Sequence, residues 1–465
     1  MSEIYFSNYQ LQDNVHYFLY IGELKNYGLN IFLKESLSRI ENRQFDFIAI
    51  VPDIFEQYDY ENLIVVNPEV EDHTCRYGRC VSCRIPANIF LSSVSENRQV
   101  RALVQELLDR RGNLYIYMYE SMPEMTLDAI PGVSILGPDS NIASKLNSKI
   151  YQYQNLKKLV PVVDFYICGG LSDLIKTTDT LWTKWKDGIF VSLEYSAAGA
   201  NSILAHNPRD IVERFHEENE IYLISRYIPH HSDPTVLAVV ANEKDVYIAG
   251  VADQRIEKGT RFTGSTFPTR LSDETVGILN TITKIVGKWL VKEGYRGIYG
   301  CDFLVDHEEK VFFLEVNARK QGTTMEFCCT LEQNLPLGSP MLPELEYYAV
   351  TQGRFPNDIV EMKDNIKNIY WETYNYKIDN MVFTEGYIPQ HSREREAFRK
   401  VAGNLLQKDF LILEHIGNDY IVAQGSFLAR IVALGHDQFG VQQGLKLGKK
   451  TIELTINGTI KEKLL

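Results

Sequence analysis

Two runs past the middle of the chain constrain it more than any others. Ile298 to Asp306 and Val311 to Asn317 read as strands joined by His307-Glu308-Glu309-Lys310, the pattern of a β-hairpin. If that loop pairs Asp306 with Val311, Leu304 falls opposite Phe313 and Asp302 opposite Glu315, with Asn317 two residues on along the same face. Opposed residues have Cβ atoms about 4.5–5.5 Å apart, and like charges there destabilise the pair unless something neutralises them. Leu304 and Phe313 would share this face and turn it toward a core, so a solvated acidic surface fits the pattern poorly. A divalent cation fits it well. Two carboxylates and a carboxamide oxygen are hard ligands suited to Mg²⁺, which keeps its other positions for water and phosphate oxygens. Asp302, Glu315 and Asn317 are the expected metal ligands.

A helix feeds the hairpin. Ser272 is its N-cap, Val276, Leu279, Ile282, Val286, Trp289 and Leu290 recur at helical spacing, and Gly294 supplies the stop. Ahead of it, Phe45 to Val51, Leu63 to Val66 and Asn113 to Met118 read as strands alternating with helical runs such as Arg98 to Arg110. That alternation predicts an open α/β sheet ending near Pro138. From about Leu342, a helix over Glu394 to Gln407 and strands over Phe410 to Leu413 and Thr451 to Leu454 predict a smaller α/β unit. The 465 residues thus divide into domains 1–137, 138–340 and 341–465, in line with roughly 100–200 residues per domain.

The hydrophobic share of 45% and charged share of 23% are those of a globular chain without a membrane span. Forty-eight basic against 61 acidic residues give a net charge of −13, which argues against a nucleic-acid backbone or an anionic membrane as partner. Met1 to Tyr5 lacks the basic and apolar regions of an export signal, so the expected compartment is the cytoplasm. Seven cysteines there imply reduced thiols or metal ligands. His73, Cys75, Cys80 and Cys83 gather in one polar segment and could hold structural Zn²⁺; three free thiols on a loop is the preferred reading, because zinc sites show clearer paired spacing. Cys168, Cys301, Cys328 and Cys329 sit in apolar settings and read as packing residues.

Asp302, the run Leu314-Glu315-Val316-Asn317 and Arg319 resemble the signature of the ATP-grasp ligases. The resemblance implies an ATP-grasp core that binds ATP and Mg²⁺, with Arg319 on phosphates or on an acyl phosphate. Asn147-Ser148-Lys149 resembles the family's Asn-Asp-Lys, which implies a phosphate contact for Lys149 against the ordinary fate of an exposed helix lysine. Gly188 to Leu193 and the small-residue loop Ser196 to Ser202 resemble the strand and loop that cover the triphosphate, although only Gly199 remains of the glycine cluster and the usual lysine is replaced near Ser192 or Leu193. Tyr222 to Ile228 resembles the hinge strand beside the adenine, with Ser225 where the family has an acid and Tyr227 two residues on.

Gly250 to Arg255 and Phe262 to Pro268 resemble the pheganomycin-type peptide ligases, a subgroup with a pre-ATP-grasp domain and a C-terminal domain. Gln254 and Arg255 then face the acyl acceptor or the phosphates, or are polar residues at a strand end. The implied reaction joins a small-molecule carboxylate to an amine. Two alternatives are loading of a carrier-protein thiol and a degenerate, non-catalytic nucleotide-binding module. A homodimer fits the resemblance as well.

Overall fold

Near-continuous apolar runs form the first strands, as a parallel sheet covered on both faces requires. The computed structural model describes residues 4–54, 60–69, 85–195, 201–257, 259–357, 359–362, 369–377, 382–384, 393–413, 420–422 and 427–463. His73, Cys75, Cys80, Cys83 and Gly199 lie outside them. The chain forms two compact units, one from Met1–Asn141 with Gly322–Leu465 and one from Ile142–Gln321.

The first unit opens with β1 (Ile4–Ser7), β2 (His16–Ile21), α1 (Leu29–Ile40), β3 (Phe45–Val51), β4 (Leu63–Val66), α2 (Ala87–Glu96), α3 (Arg98–Arg111), β5 (Leu114–Met118) and β6 (Val133–Ile135). These strands form a six-stranded sheet in the order β1-β4-β3-β2-β5-β6, parallel except for β1. The expected open α/β sheet is what the chain builds.

Next, α4 (Ser140–Leu146) leads into α5 (Lys149–Leu156), β7 (Phe165–Gly169), α6 (Leu171–Leu181), β8 (Ile189–Leu193), β9 (Ser202–Ala205), α7 (Pro208–Arg214) and β10 (Ile221–Arg226). Their strands make an antiparallel sheet in the order β7-β10-β8-β9. Asn207 and Asp210 close a capping box at the start of α7, with Pro208 at its first position. A second antiparallel sheet holds β11 (His230–Ser232), β12 (Pro234–Val240), β13 (Val246–Glu257), β14 (Arg261–Phe267), β15 (Gly297–Asp306) and β16 (Val311–Asn317). Between β14 and β15 runs α8 (Asp273–Lys292), capped by Ser272. Its buried Leu279, Ile282, Val286 and Leu290 pack with Tyr299, Cys301, Phe303 and Phe313, which fixes one face of the sheet as core.

The first unit resumes with α9 (Thr324–Asn334), α10 (Leu342–Gln352), β17 (Tyr370–Lys377), β18 (Val382–Thr384), α11 (Glu394–Ala402), β19 (Lys408–Leu413), β20 (Tyr420–Val422), β21 (Phe427–Gly435) and α12 (Gln438–Lys463). The strand expected over Thr451 to Leu454 is part of α12. Val441, Leu445 and Ile452 recur at helical spacing and are buried against Ile412 and Ile431. The helix expected to reach Gln407 ends at Ala402, where Asn404 takes a left-handed φ of 59°. Cys168, Cys301, Cys328 and Cys329 are buried free thiols, in keeping with packing. Among the described residues no helix is long and apolar enough to cross a membrane.

Glu332 on α9 receives Arg395 at 2.6 Å and Arg399 at 2.8 Å from α11, and Arg395 also grips Glu35 of α1. Burial raises the Glu332 carboxyl, but the two guanidiniums outweigh it and hold the group below the usual carboxylate range. A depressed folded-state pKa contributes stability that is present above the unfolded value near 4.3 and is lost as pH falls through the folded one. Glu332→Gln is expected to lose roughly 1–3 kcal/mol at pH 7, and the gap from wild type should close as denaturant titrations move below about pH 4.

Candidate active site

The hairpin places its two carboxylates opposite each other, though by a different route from the one the loop length implies. Gly300 pairs with Asn317, Cys301 with Val316 and Asp302 with Glu315; the register then shifts, and Phe303 pairs with Phe313, Leu304 with Phe312 and Val305 with Val311. The turn is one residue longer on the β15 side, where the Asp306 carboxylate accepts the Glu308 and Lys310 N–H groups. Leu314 forms a bulge that restores the phase. The two offsets cancel at Asp302 and Glu315. They do not cancel at Phe313, which was expected on the acidic face and instead packs edge to face on Phe303 in the opposite core, centroids 5.9 Å apart. The apolar neighbours of the carboxylates are Leu304, Phe312 and Leu314, clustered with Ile150, Tyr153 and Leu223.

Lys149 opens α5 and reaches Glu315 with Nζ 2.5 Å from Oε2; the two side chains are only 17% and 22% exposed, so Lys149 is not an ordinary surface lysine. Its aim is fixed by bonds from neighbouring residues to the backbone of β16. The Gln152 carboxamide takes the Val316 N–H at 2.8 Å and donates to the Val316 carbonyl at 2.7 Å, while Asn147 Oδ1 accepts the Ala318 N–H at 2.9 Å. Ser148 caps the helix by accepting the Tyr151 N–H.

Asp302 collects amide donors. Gln254 Nε2 lies 2.7 Å from Oδ1 and Gln321 Nε2 3.3 Å from the same oxygen, while Asn317 Nδ2 donates to Oδ2 at 2.9 Å. Arg319 in turn donates from Nη2 to Asn317 Oδ1 at 2.8 Å. Burial and then the charge of Glu315 push the Asp302 carboxyl up to about 7. Burial also opposes ionisation of Glu315, but Lys149 and Arg319 hold that carboxyl below its usual range. The cations beside Glu315 thus favour its charged form, whereas burial and the Glu315 charge disfavour that of Asp302, a repulsion that a bound cation would relieve.

Among the described residues no group of three or more His, Cys, Asp or Glu is arranged to hold a metal ion. The donor set is instead two opposed carboxylates and the Asn317 carboxamide. That set fits Mg²⁺, which commonly takes one or two carboxylates and completes its octahedron with water and phosphate.

Of the other expected residues, Gln254 joins this network and Arg255 does not share its direction. Alternation along β13 turns Arg255 to the opposite face of the sheet, so the two do not act as a side-by-side pair. Ser225 is buried in β10 between Phe165 of β7 and Phe190 of β8. It shares a face with Leu223, which packs toward Leu304, so the four-stranded sheet and the hairpin confront each other across an apolar layer beside the carboxylates. Tyr227 follows that strand, its N–H 3.3 Å from the Gly188 carbonyl and its ring 5.8 Å from that of His230. Sequence reasoning missed Gln152, Thr235 and Gln321. Only Gln321 left a usable signal, two residues beyond Arg319.

Residues 147–323 match the family model described as the ATP-grasp domain. No curated protein sequence matches the chain. Among solved structures, biotin carboxylase from Campylobacter jejuni in complex with β,γ-ATP is similar at 13% identity, over 92% of this chain and 88% of that one, with a TM-score of 0.59. Carboxyaminoimidazole ribonucleotide synthase from Aspergillus clavatus, complexed with ATP, aligns at 12% identity over 96% and 100% of the two chains with a TM-score of 0.55. The biotin carboxylase domain of Hydrogenobacter thermophilus 2-oxoglutarate carboxylase, solved with MgADP, ADP and bicarbonate, aligns at 13% identity over 89% and 85% with a TM-score of 0.57. The fold of this chain is the ATP-grasp fold, and residues 147–323 carry its match to the ATP-grasp domain.

Proposed function

We propose that the chain is an ATP-dependent carboxylate–amine ligase of the pheganomycin-type peptide ligase kind, with its chemistry in the 138–340 core. The observation that carries this reading is the opposed pair Asp302 and Glu315 on a half-dry sheet face, linked through Asn317 to Arg319 and directly to Lys149. ATP and ADP in the similar solved structures support the nucleotide. Mg²⁺, held by Asp302, Glu315 and Asn317 when bound, would offset charge on the phosphoryl oxygens. Lys149 leaves Glu315 for a phosphate oxygen. A carboxylate oxygen of the substrate attacks the γ-phosphorus, the bond to the β-phosphate oxygen breaks, and ADP departs. Arg319 holds the resulting acyl phosphate. The amine then attacks the acyl carbon, phosphate leaves with the bonding pair, and the nitrogen sheds its proton. The wall of Leu223, Leu304, Phe312 and Leu314 keeps water from the reactive anhydride.

A non-catalytic module has no need for opposed carboxylates held by the amides of Gln254, Asn317 and Gln321 and the cations of Lys149 and Arg319. The test is incubation with ATP and an amino-acid mixture, with amines or with a phosphopantetheinyl carrier protein, read by mass spectrometry and phosphate release. Amide product with stoichiometric ADP and phosphate is expected. Product on the carrier alone would replace the amine by a thiol, and failure of every carboxylate tried to elicit phosphate release would end the ligase reading.

A further inference from the structure

Gln321 is 8% exposed and lies directly over Gly300. A Cβ at position 300 would overlap its Cδ, Nε2 and Oε1, so glycine is the one residue that leaves the carboxamide its place. From there its Nε2 is 3.0 Å from Thr235 Oγ1 and 3.3 Å from Asp302 Oδ1. Thr235 pairs with Asp302 across β12 and β15, and the Gln254 carboxamide closes on the same Oδ1 from β13. Amides from β13 and from the segment after β16 thus meet on one oxygen of the carboxylate that β15 carries, and Thr235 of β12 holds the second of them. The other oxygen, Oδ2, accepts a single amide, Asn317 Nδ2 at 2.9 Å, and Asn317 itself belongs to the proposed ligand set, on the strand that carries Glu315.

We propose that Gln321, seated in the notch left by Gly300, is a positioning residue that with Gln254 and Thr235 locks Oδ1 of Asp302 and so directs Oδ2 to a divalent cation. This inference rests on the ligase reading of the site. Neutral amides suit this role because they orient the carboxylate without cancelling the charge that attracts the ion, as a lysine there would. Hydrogen-bond partners of metal ligands set affinity through orientation, and losing one typically costs about 10–100-fold.

Two variants separate positioning from packing. Gln321→Met fills the same space over Gly300 and cannot donate; Gly300→Ala keeps the carboxamide but evicts it from the notch. The readout is binding of Mn²⁺, as a Mg²⁺ surrogate, by electron paramagnetic resonance with the β,γ-imido analogue of ATP, alongside the melting temperature. Each variant is expected to weaken Mn²⁺ about tenfold. Adding Gly300→Ala to Gln321→Met should weaken it little further, since both remove one interaction. Wild-type Mn²⁺ affinity in Gln321→Met with only a lowered melting temperature would show packing alone and overturn the inference while leaving the ligase reading standing. Additive losses in the double variant would overturn it too. Absence of Mn²⁺ and analogue binding in the wild type would remove the ligase reading, and this inference with it.

Discussion

Glu315→Ala is expected to lower carboxylate-dependent phosphate release by a factor of about 10³ or more and to leave the far-ultraviolet circular dichroism unchanged. The magnitude follows from the site's small donor set, in which one of two carboxylates is removed from a centre whose catalytic contribution is electrostatic. The fold survives because the register is held by backbone pairing and by Gln152 and Asn147 on the Val316 and Ala318 backbone, and not by the Glu315 side chain, which pairs with Lys149 of α5. Alanine also lifts the charge that pushes Asp302 up, so the apo hairpin relaxes. Full activity in the folded variant would remove Glu315 from the chemistry and take the metal reading with it.

The carboxylate pair was legible because strand alternation and a short loop are local, and because a bulge at Leu314 offset the error in the loop count. The side that Phe313 faces was not, since a bulge leaves no mark in the spacing of apolar residues. Lys149 could be singled out only by resemblance; its burial depends on Gln152 and Asn147 meeting a strand more than 160 residues away. Thr235 is illegible for the same reason, because its role exists only where β12, β15 and the segment after β16 converge; Gln321 could be suspected from its place two residues beyond Arg319, but not its contact with Thr235. At the other end of the chain, Thr451-Ile452-Glu453-Leu454 has strand-like residues and follows Gly440, Gly444 and Gly448, which read as breakers. In the fold those glycines, four apart, let α12 lie close on its sheet: a Cβ on Gly448 would meet Ile431 Cγ2 at 2.7 Å and one on Gly444 the Asp409 carbonyl oxygen at 3.1 Å. Close packing there outweighs helix propensity.

Lys149→Met gives the second large effect, and it divides into two measurements with opposite responses to magnesium. In the absence of ligands, the ammonium 2.5 Å from Glu315 is the nearest positive charge to an acid that faces another acid. Removing one partner of a buried pair costs about 3–5 kcal/mol, and the partial exposure here reduces that to about 1–3 kcal/mol. The variant should therefore unfold at lower denaturant concentration than wild type, and Glu315→Gln in the same chain should restore most of the loss, because it removes the uncompensated charge. Added Mg²⁺ should raise the melting temperature of Lys149→Met more than that of wild type: in the variant the ion fills a charge deficit, whereas in wild type it must first displace the ammonium. Activity moves the other way. With no lysine to hand over to the phosphates, phosphate release should fall about 10²-fold even at saturating Mg²⁺. Equal stability and equal magnesium response in the two proteins would show that Lys149 does not neutralise the carboxylates, and lowered stability without lost turnover would make it a counter-ion with no part in phosphoryl transfer.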